Sequence, residues 1–182
     1  MKTEMRQMVV LVDENDQQLG VCEKQEAHER GLLHRAFSIF VFDKEGKLLL
    51  QQRADNKYHS GGLWTNTCCS HPQPGEETIS AAQQRLVEEM GFETELTKVF
   101  DFTYKTTFSN GLTEHELDHV YTGKYDGPVH PNPEEVKDYQ FTHLYEIKKM
   151  IEESPEQFTS WFKIAFPQIE NWWNRHFGHL AA

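Results

Sequence analysis

Residues 66 to 72 read NTCCSHP, two adjacent cysteines with a histidine two positions after the second. Such a group could close a disulfide, ligate a metal, present a reactive thiol or simply pack. Pro72 biases His71 toward an extended conformation, and an extended chain alternates its side chains, so Thr67, Cys69 and His71 share one side while Cys68 takes the other. Cys68 then fits a small buried hydrophobe, and Cys69, on the side of an imidazole, is the candidate for chemistry. A disulfide between neighbours would close a strained small ring, and the chain's three cysteines are odd in number and too few for a disulfide scaffold. A second constellation is EHELDH, residues 114–119. In a strand, Glu114, Glu116 and Asp118 lie on one face, where three like charges repel unless they are solvated or bound to a cation. His115, Leu117 and His119 face away. A third is Glu88-Glu89, which falls in the last turn of a helix ahead of Gly91, where the helix dipole disfavours acids. A nearby cation resolves that conflict, and Arg85 stands one turn earlier on the side of Glu89. His28 and His34, in AHERGLLHRAF, are unremarkable singly; with His71, Glu114 and Glu116 they make a metal site only if the fold gathers them.

These residues need elements to hold them. MVVLVD (8–13) and AFSIFVFD (36–43) have the composition of strands, and Lys44-Glu45-Gly46 is a turn returning KLLLQQR (47–53) as a hairpin partner. The stretch 74–91 predicts a helix with Ile79, Ala82, Leu86 and Met90 as its apolar stripe and Gly91 as its stop. Strands over 99–108 and 114–125 are joined through Ser109-Asn110-Gly111, and 138–144 predicts a further strand. Helices over 144–154 and 160–177 close the chain, the second interrupted at Pro167. Trp172, Trp173 and Phe177 are expected in the core.

The 182 residues suit one domain, 1–182, with no repeat or linker-like tract. A formal net charge of -11 argues against nucleic acid or an anionic membrane as partner, so an anionic substrate must be held by local cations. The N-terminal stretch has only residues 8–12 as a continuous apolar run, which is neither a secretion signal nor a membrane span. A cytoplasmic protein is expected.

NTCCSHP, the PQPGE stretch leading into a helix that ends EEMG, the Glu114-x-Glu116 strand and Ser160-Trp161 together resemble the type 1 isopentenyl-diphosphate isomerases of the Nudix superfamily, from about residue 8 to past residue 165. The general Nudix pattern Gx5Ex7REUxEExGU, with U apolar, meets Ser70, Glu76, Gln84-Arg85, Leu86, Glu88-Glu89 and Gly91-Phe92. The first glycine and the central Arg-Glu pair are therefore missing. A Nudix hydrolase uses the acidic helix to gather Mg²⁺ and activate water; Arg85 in place of the glutamate removes a ligand and adds a partner for phosphate. Hydrolysis of a nucleoside or other diphosphate is the alternative that this departure disfavours. A non-catalytic zinc-binding domain is a second.

The resemblance implies an α+β fold, a mixed β-sheet sandwiched between α-helices. It implies Cys69 and Glu116 as catalytic residues, Tyr104 beside the glutamate, and Trp161 as the aromatic that stabilises a cation. His28, His34, His71, Glu114 and Glu116 match the ligands of one divalent ion, Zn²⁺, Mn²⁺ or Mg²⁺. Glu89 matches a ligand to a second ion, Mg²⁺, shared with the substrate diphosphate and the Cys69 carbonyl. Lys24, Arg53, Lys57 and Arg85 match diphosphate contacts. The implied reaction converts isopentenyl diphosphate to dimethylallyl diphosphate: an unactivated alkene is protonated, a tertiary carbocation forms at C3, and a proton leaves C2.

Overall fold

The computed structural model describes residues 7–178. A hairpin of β1 (Met8–Val12) and β2 (Gln18–Glu23) leads into α1 (Lys24–Arg30) and the long β3 (His34–Phe42). There follow β4 (Leu48–Arg53), β5 (Trp64–Thr65), β6 (Cys68–Ser70), α2 (Thr78–Met90), β7 (Thr97–Thr107), β8 (Thr113–Lys124), β9 (Val136–Thr142), α3 (Leu144–Glu153) and α4 (Ser160–Phe177). Among the described residues the nine strands form one mixed sheet, in which β3 runs parallel to β8 and antiparallel to β1, β4 and β6.

β3 explains the layering. Its side chains alternate, and both faces are apolar, as a strand covered on two sides requires. Phe37, Ile39 and Val41 pack with Cys68 against Ala81, Ala82, Leu86 and Met90 of α2. Phe40 and Phe42 pack on the other face with Ile147 of α3 and Phe162, Ala165, Phe166 and Ile169 of α4. The sheet is thus held between helices, as the resemblance implies.

Three readings of the sequence need amendment. The helix expected from residue 74 starts at Thr78, because Pro74 to Glu77 form the approach to it. The β1–β2 hairpin partner and α1, whose seven residues are too few for a periodic signal, were not anticipated. α4 runs unbroken through Pro167. The ring removes one helical hydrogen bond, but buried Phe162, Ala165, Phe166 and Ile169 clamp the turns on either side. Residues 1–6 and 179–182, part of the expected single domain, lie outside the described ones.

Candidate active site

Strand register assembles the centre of the site. In β7–β8 Tyr104 is paired with Glu116, and in β3–β8 Glu116 is level with His34, so the three form a row across adjacent strands. On the far side of β3, Cys69 of β6 is opposite Ser38. In-register neighbours on one face come within side-chain reach, so register alone brings a phenol, a carboxylate and an imidazole together. Tyr104 Oη donates to Glu116 Oε2 at 2.6 Å and lies 3.1 Å from Glu114 Oε2. Glu114, Glu116 and Asp118 are all buried, and β8 is paired on both edges, so a solvated edge strand does not describe this segment. Asp118 accepts from Ser38 Oγ at 2.7 Å.

His28, His34, His71 and Glu116 offer ligand atoms that all lie within 4.8 Å of one another. His34 Nε2 is 3.3 Å from His71 Nε2, and Glu116 Oε1 is 2.8 Å from His71 Nε2 and 3.5 Å from His34 Nε2. Nitrogens about 2.0–2.1 Å from a tetrahedral zinc stand roughly 3.4 Å apart, so the group is spaced as a ligand set. The other ring nitrogens are engaged as metal-binding histidines require: His34 Nδ1 donates to Leu32 O at 2.8 Å, and His28 Nδ1 meets Tyr58 Oη at 2.7 Å. His28 Nε2 is buried with no hydrogen-bond partner, which a bound ion would supply. Burial lowers His28 to about 2 and His71 to about 4, leaving the neutral imidazoles that ligate metals. These residues fit a divalent ion. Glu114 stands outside the group: its Oε1 is 3.2 Å from His59 Nε2, and its Oε2 faces Tyr104. Burial, with Glu116 close by, pushes the Glu114 carboxyl up.

A cavity of about 570 Å³ opens at this centre, lined by Cys69, Tyr104, Glu114, Glu116 and Trp161 together with Lys24, Arg53, Lys57, Arg85 and Glu89. Cys68 points into the α2 core and Cys69 toward the opposite face, as the alternation of residues 67–71 predicts. Thr67 departs from that pattern: its hydroxyl donates to Leu49 O at 2.7 Å and accepts from Val41 N–H, so it ties strands together instead of lining the cavity. All three cysteines are free, and desolvation pushes the Cys69 thiol up against the pull of Arg53. For Glu116, burial alone would raise the carboxyl, but His71 and His34 hold it well below the usual carboxylate range.

The helix-end conflict resolves as expected. Arg85 Nη2 donates to Glu89 Oε1 at 2.6 Å and Arg85 Nη1 to Glu88 Oε2 at 2.5 Å, while Gln51 Nε2 donates to Glu89 Oε2 at 2.9 Å. Lys57 pairs with Glu135, whose carboxylate also lies 3.7 Å from Arg85. Trp161 sits in the first turn of α4, which Thr159 caps by accepting from Phe162 N–H; the Thr159 hydroxyl donates to Thr65 at 2.9 Å and so anchors the helix start to β5. The Arg53 guanidinium lies 5.1 Å from the Trp161 ring centroid. That ring therefore already holds a cation. Sequence reasoning missed Tyr58, His59, Gln51 and Glu135. Tyr58 and His59 lie in the segment between β4 and β5, where no period exists to reveal direction.

The NUDIX domain family model matches residues 32–162. The chain is 55% identical over 165 residues, 91% of this chain and 92% of the relative, to the isopentenyl-diphosphate Delta-isomerase of Pectobacterium atrosepticum. It is 50% identical over 165 residues, 91% of this chain and 87% of the relative, to isopentenyl-diphosphate Delta-isomerase 2 of Aromatoleum aromaticum. A MutT protein from Methanosarcina mazei shares the fold, with a TM-score of 0.64 over 76% of this chain and 94% of its own at 17% identity. With identity of this order over nine-tenths of its length, the chain belongs to the isopentenyl-diphosphate Delta-isomerases of the NUDIX domain family.

Proposed function

We propose that this chain, acting as one catalytic domain, converts isopentenyl diphosphate to dimethylallyl diphosphate, with Glu116 and Tyr104 as the acid side and Cys69 as the base side. The observation that carries this reading is that Cys69, Glu116 and Tyr104 line one cavity, with Arg85 at the helix position where a Nudix hydrolase needs a glutamate. Moving a double bond requires a proton added at C4 and another removed from C2. Two groups placed on either side of one pocket perform this without water. Tyr104, held at 2.6 Å from Glu116, passes a proton along that hydrogen bond, and its own burial keeps it protonated between transfers.

In the forward direction Glu116 gives a proton to C4 and Cys69 takes one from C2. The reverse reaction runs the same two transfers backward, and one proton must return from Cys69 to the Glu116 side before the next forward turnover. Trp161 stabilises the tertiary cation through its π face, as it now does the guanidinium of Arg53. Lys24, Arg53, Lys57 and Arg85 hold the diphosphate, and Glu135 and Glu89 keep Lys57 and Arg85 extended into the cavity. Remote binding of this kind orients the reacting carbons.

His28, His34, His71 and Glu116, with Glu114 adjoining, would hold a divalent ion whose charge acidifies and fixes the Glu116 side of the pocket. Glu89 would share Mg²⁺ with the diphosphate, offsetting the negative charge of both. No helix among the described residues is long and apolar enough to cross a membrane, and free cysteines suit a reducing compartment, so we place the enzyme in the cytoplasm. Incubation with isopentenyl diphosphate and Mg²⁺ tests the reading: dimethylallyl diphosphate supports it, and release of phosphate or a monophosphate replaces it with hydrolysis.

A further inference from the structure

We propose that His59 is a positioning residue for this isomerisation, holding the Glu114 carboxylate and the Trp161 ring in one fixed relation. The inference rests on the reading of the cavity as a double-bond isomerase. His59 lies between β4 and β5 in a segment rich in polar residues and glycine, yet its side chain is only 6% exposed. A buried imidazole needs partners for both nitrogens. Nε2 is 3.2 Å from Glu114 Oε1, and Nδ1 is 3.2 Å from Ser60 Oγ. One ring nitrogen thus faces the Glu114 carboxyl and the other the Ser60 hydroxyl. The same ring stacks on Phe108, with centroids 4.6 Å apart and planes at 16°, and presents its edge to Trp161 at 5.8 Å and 87°.

The backbone is committed to this placement. Ser60 has a φ of 53°, a left-handed conformation that a serine adopts only under constraint. It turns the chain directly after His59. Arg53 Nη2 donates to the His59 carbonyl at 3.3 Å, and the two ends of the segment are tied by Arg53 N–H to Leu63 O and Gly62 N–H to Arg53 O. His28, His34 and His71 group around Glu116, whereas His59 faces Glu114. Its Nε2 lies against one oxygen of Glu114 while Tyr104 meets the other, and Tyr104 in turn holds Glu116. Without Nε2, Oε1 loses that contact, and the Glu114 side of Tyr104 is less closely held where Tyr104 aligns on Glu116. The diphosphate cations do not depend on that contact, so the effect falls on turnover and not on binding.

His59→Phe keeps an aromatic ring, its stacking and its edge contact but has no polar nitrogen; His59→Gln keeps a polar amide at that position. We expect kcat to fall about 10- to 100-fold in His59→Phe, with KM for isopentenyl diphosphate within about twofold of wild type. His59→Gln should recover kcat to within about fivefold of wild type. Melting temperatures measured in parallel separate positioning from folding. A phenylalanine variant with wild-type kcat, two variants equally slow, or a loss confined to KM overturns the role. Should His59→Phe fail to fold, the glutamine variant decides: a loss beyond fivefold overturns the proposal. A wild type that forms no dimethylallyl diphosphate in the same assay overturns the isomerase reading, and the positioning role with it. Wild-type turnover beside an equally fast His59→Phe overturns the positioning role alone.

Discussion

Cys68 and Cys69 differ by one position and lie on opposite faces of the sheet, one in the α2 core and one toward the cavity. Cys69→Ala should abolish isomerisation with the melting temperature unchanged, whereas Cys68→Ala should keep activity and lose about 1 kcal/mol of stability. Kinetics and thermal melts on the pair check this, and equal activity in the two variants would remove Cys69 from the chemistry. Trp161 lends itself to a graded test. A desolvated cation over an indole gains about 2 kcal/mol and over a benzene ring less, so turnover should fall in the order Trp, Phe, Leu. Trp161→Leu should lose at least about tenfold more rate than Trp161→Phe, about 1.4 kcal/mol of barrier, at similar melting temperatures. Equal rates would make the residue a wall and nothing more. Much of this was legible at the residue scale because a strand has a period of two: the inward direction of Cys69 and His71, and the shared face of Glu114, Glu116 and Asp118, follow from parity. His59 and Tyr58 were illegible for the converse reason, since an irregular segment has no parity to read.

Among the elements, α2 and its stop were readable from the apolar stripe and from Gly91, which ends the helix at a φ of 74°. What the sequence does not display is why the stop must be glycine. A Cβ there would lie 2.1 Å from the His130 carbonyl oxygen, on a loop whose amides at His130 and Asn132 satisfy the last carbonyls of α2, those of Met90 and Glu89. Gly91→Ala should therefore cost about 2 kcal/mol or more, from the left-handed φ and from displacement of that loop. Denaturant unfolding would measure it, and a loss under about 0.5 kcal/mol would show that the loop yields freely. Strands were recognisable singly, but their register was not. The pairings of Tyr104 with Glu116 and of Glu116 with His34 join residues distant in sequence, and only the packed sheet fixes them. Pro167 shows the opposite override, where apolar burial on both sides outweighs a local helix breaker.

Taken whole, an acidic chain places Lys24, Arg53, Lys57 and Arg85 on one cavity and gathers His28, His34 and His71 around Glu116, which reconciles a net charge of -11 with an anionic substrate. An ion held by the histidine group would add to the fold's stability. An ion at a free concentration 100 times its Kd stabilises by about 2.7 kcal/mol, so chelation should lower the melting temperature by about 5–10 °C in a chain of this size. His71→Ala should hold less metal and lose that response; full metal occupancy in the variant would take His71 out of the ligand set. The catalytic claim itself has a more direct test. Purified protein, isopentenyl diphosphate and Mg²⁺ are incubated, and the products are separated and identified, with Cys69→Ala alongside. Dimethylallyl diphosphate from the wild type, with both phosphates retained and none from the variant, is the predicted result; release of phosphate or a monophosphate, or equal product from the variant, would contradict it.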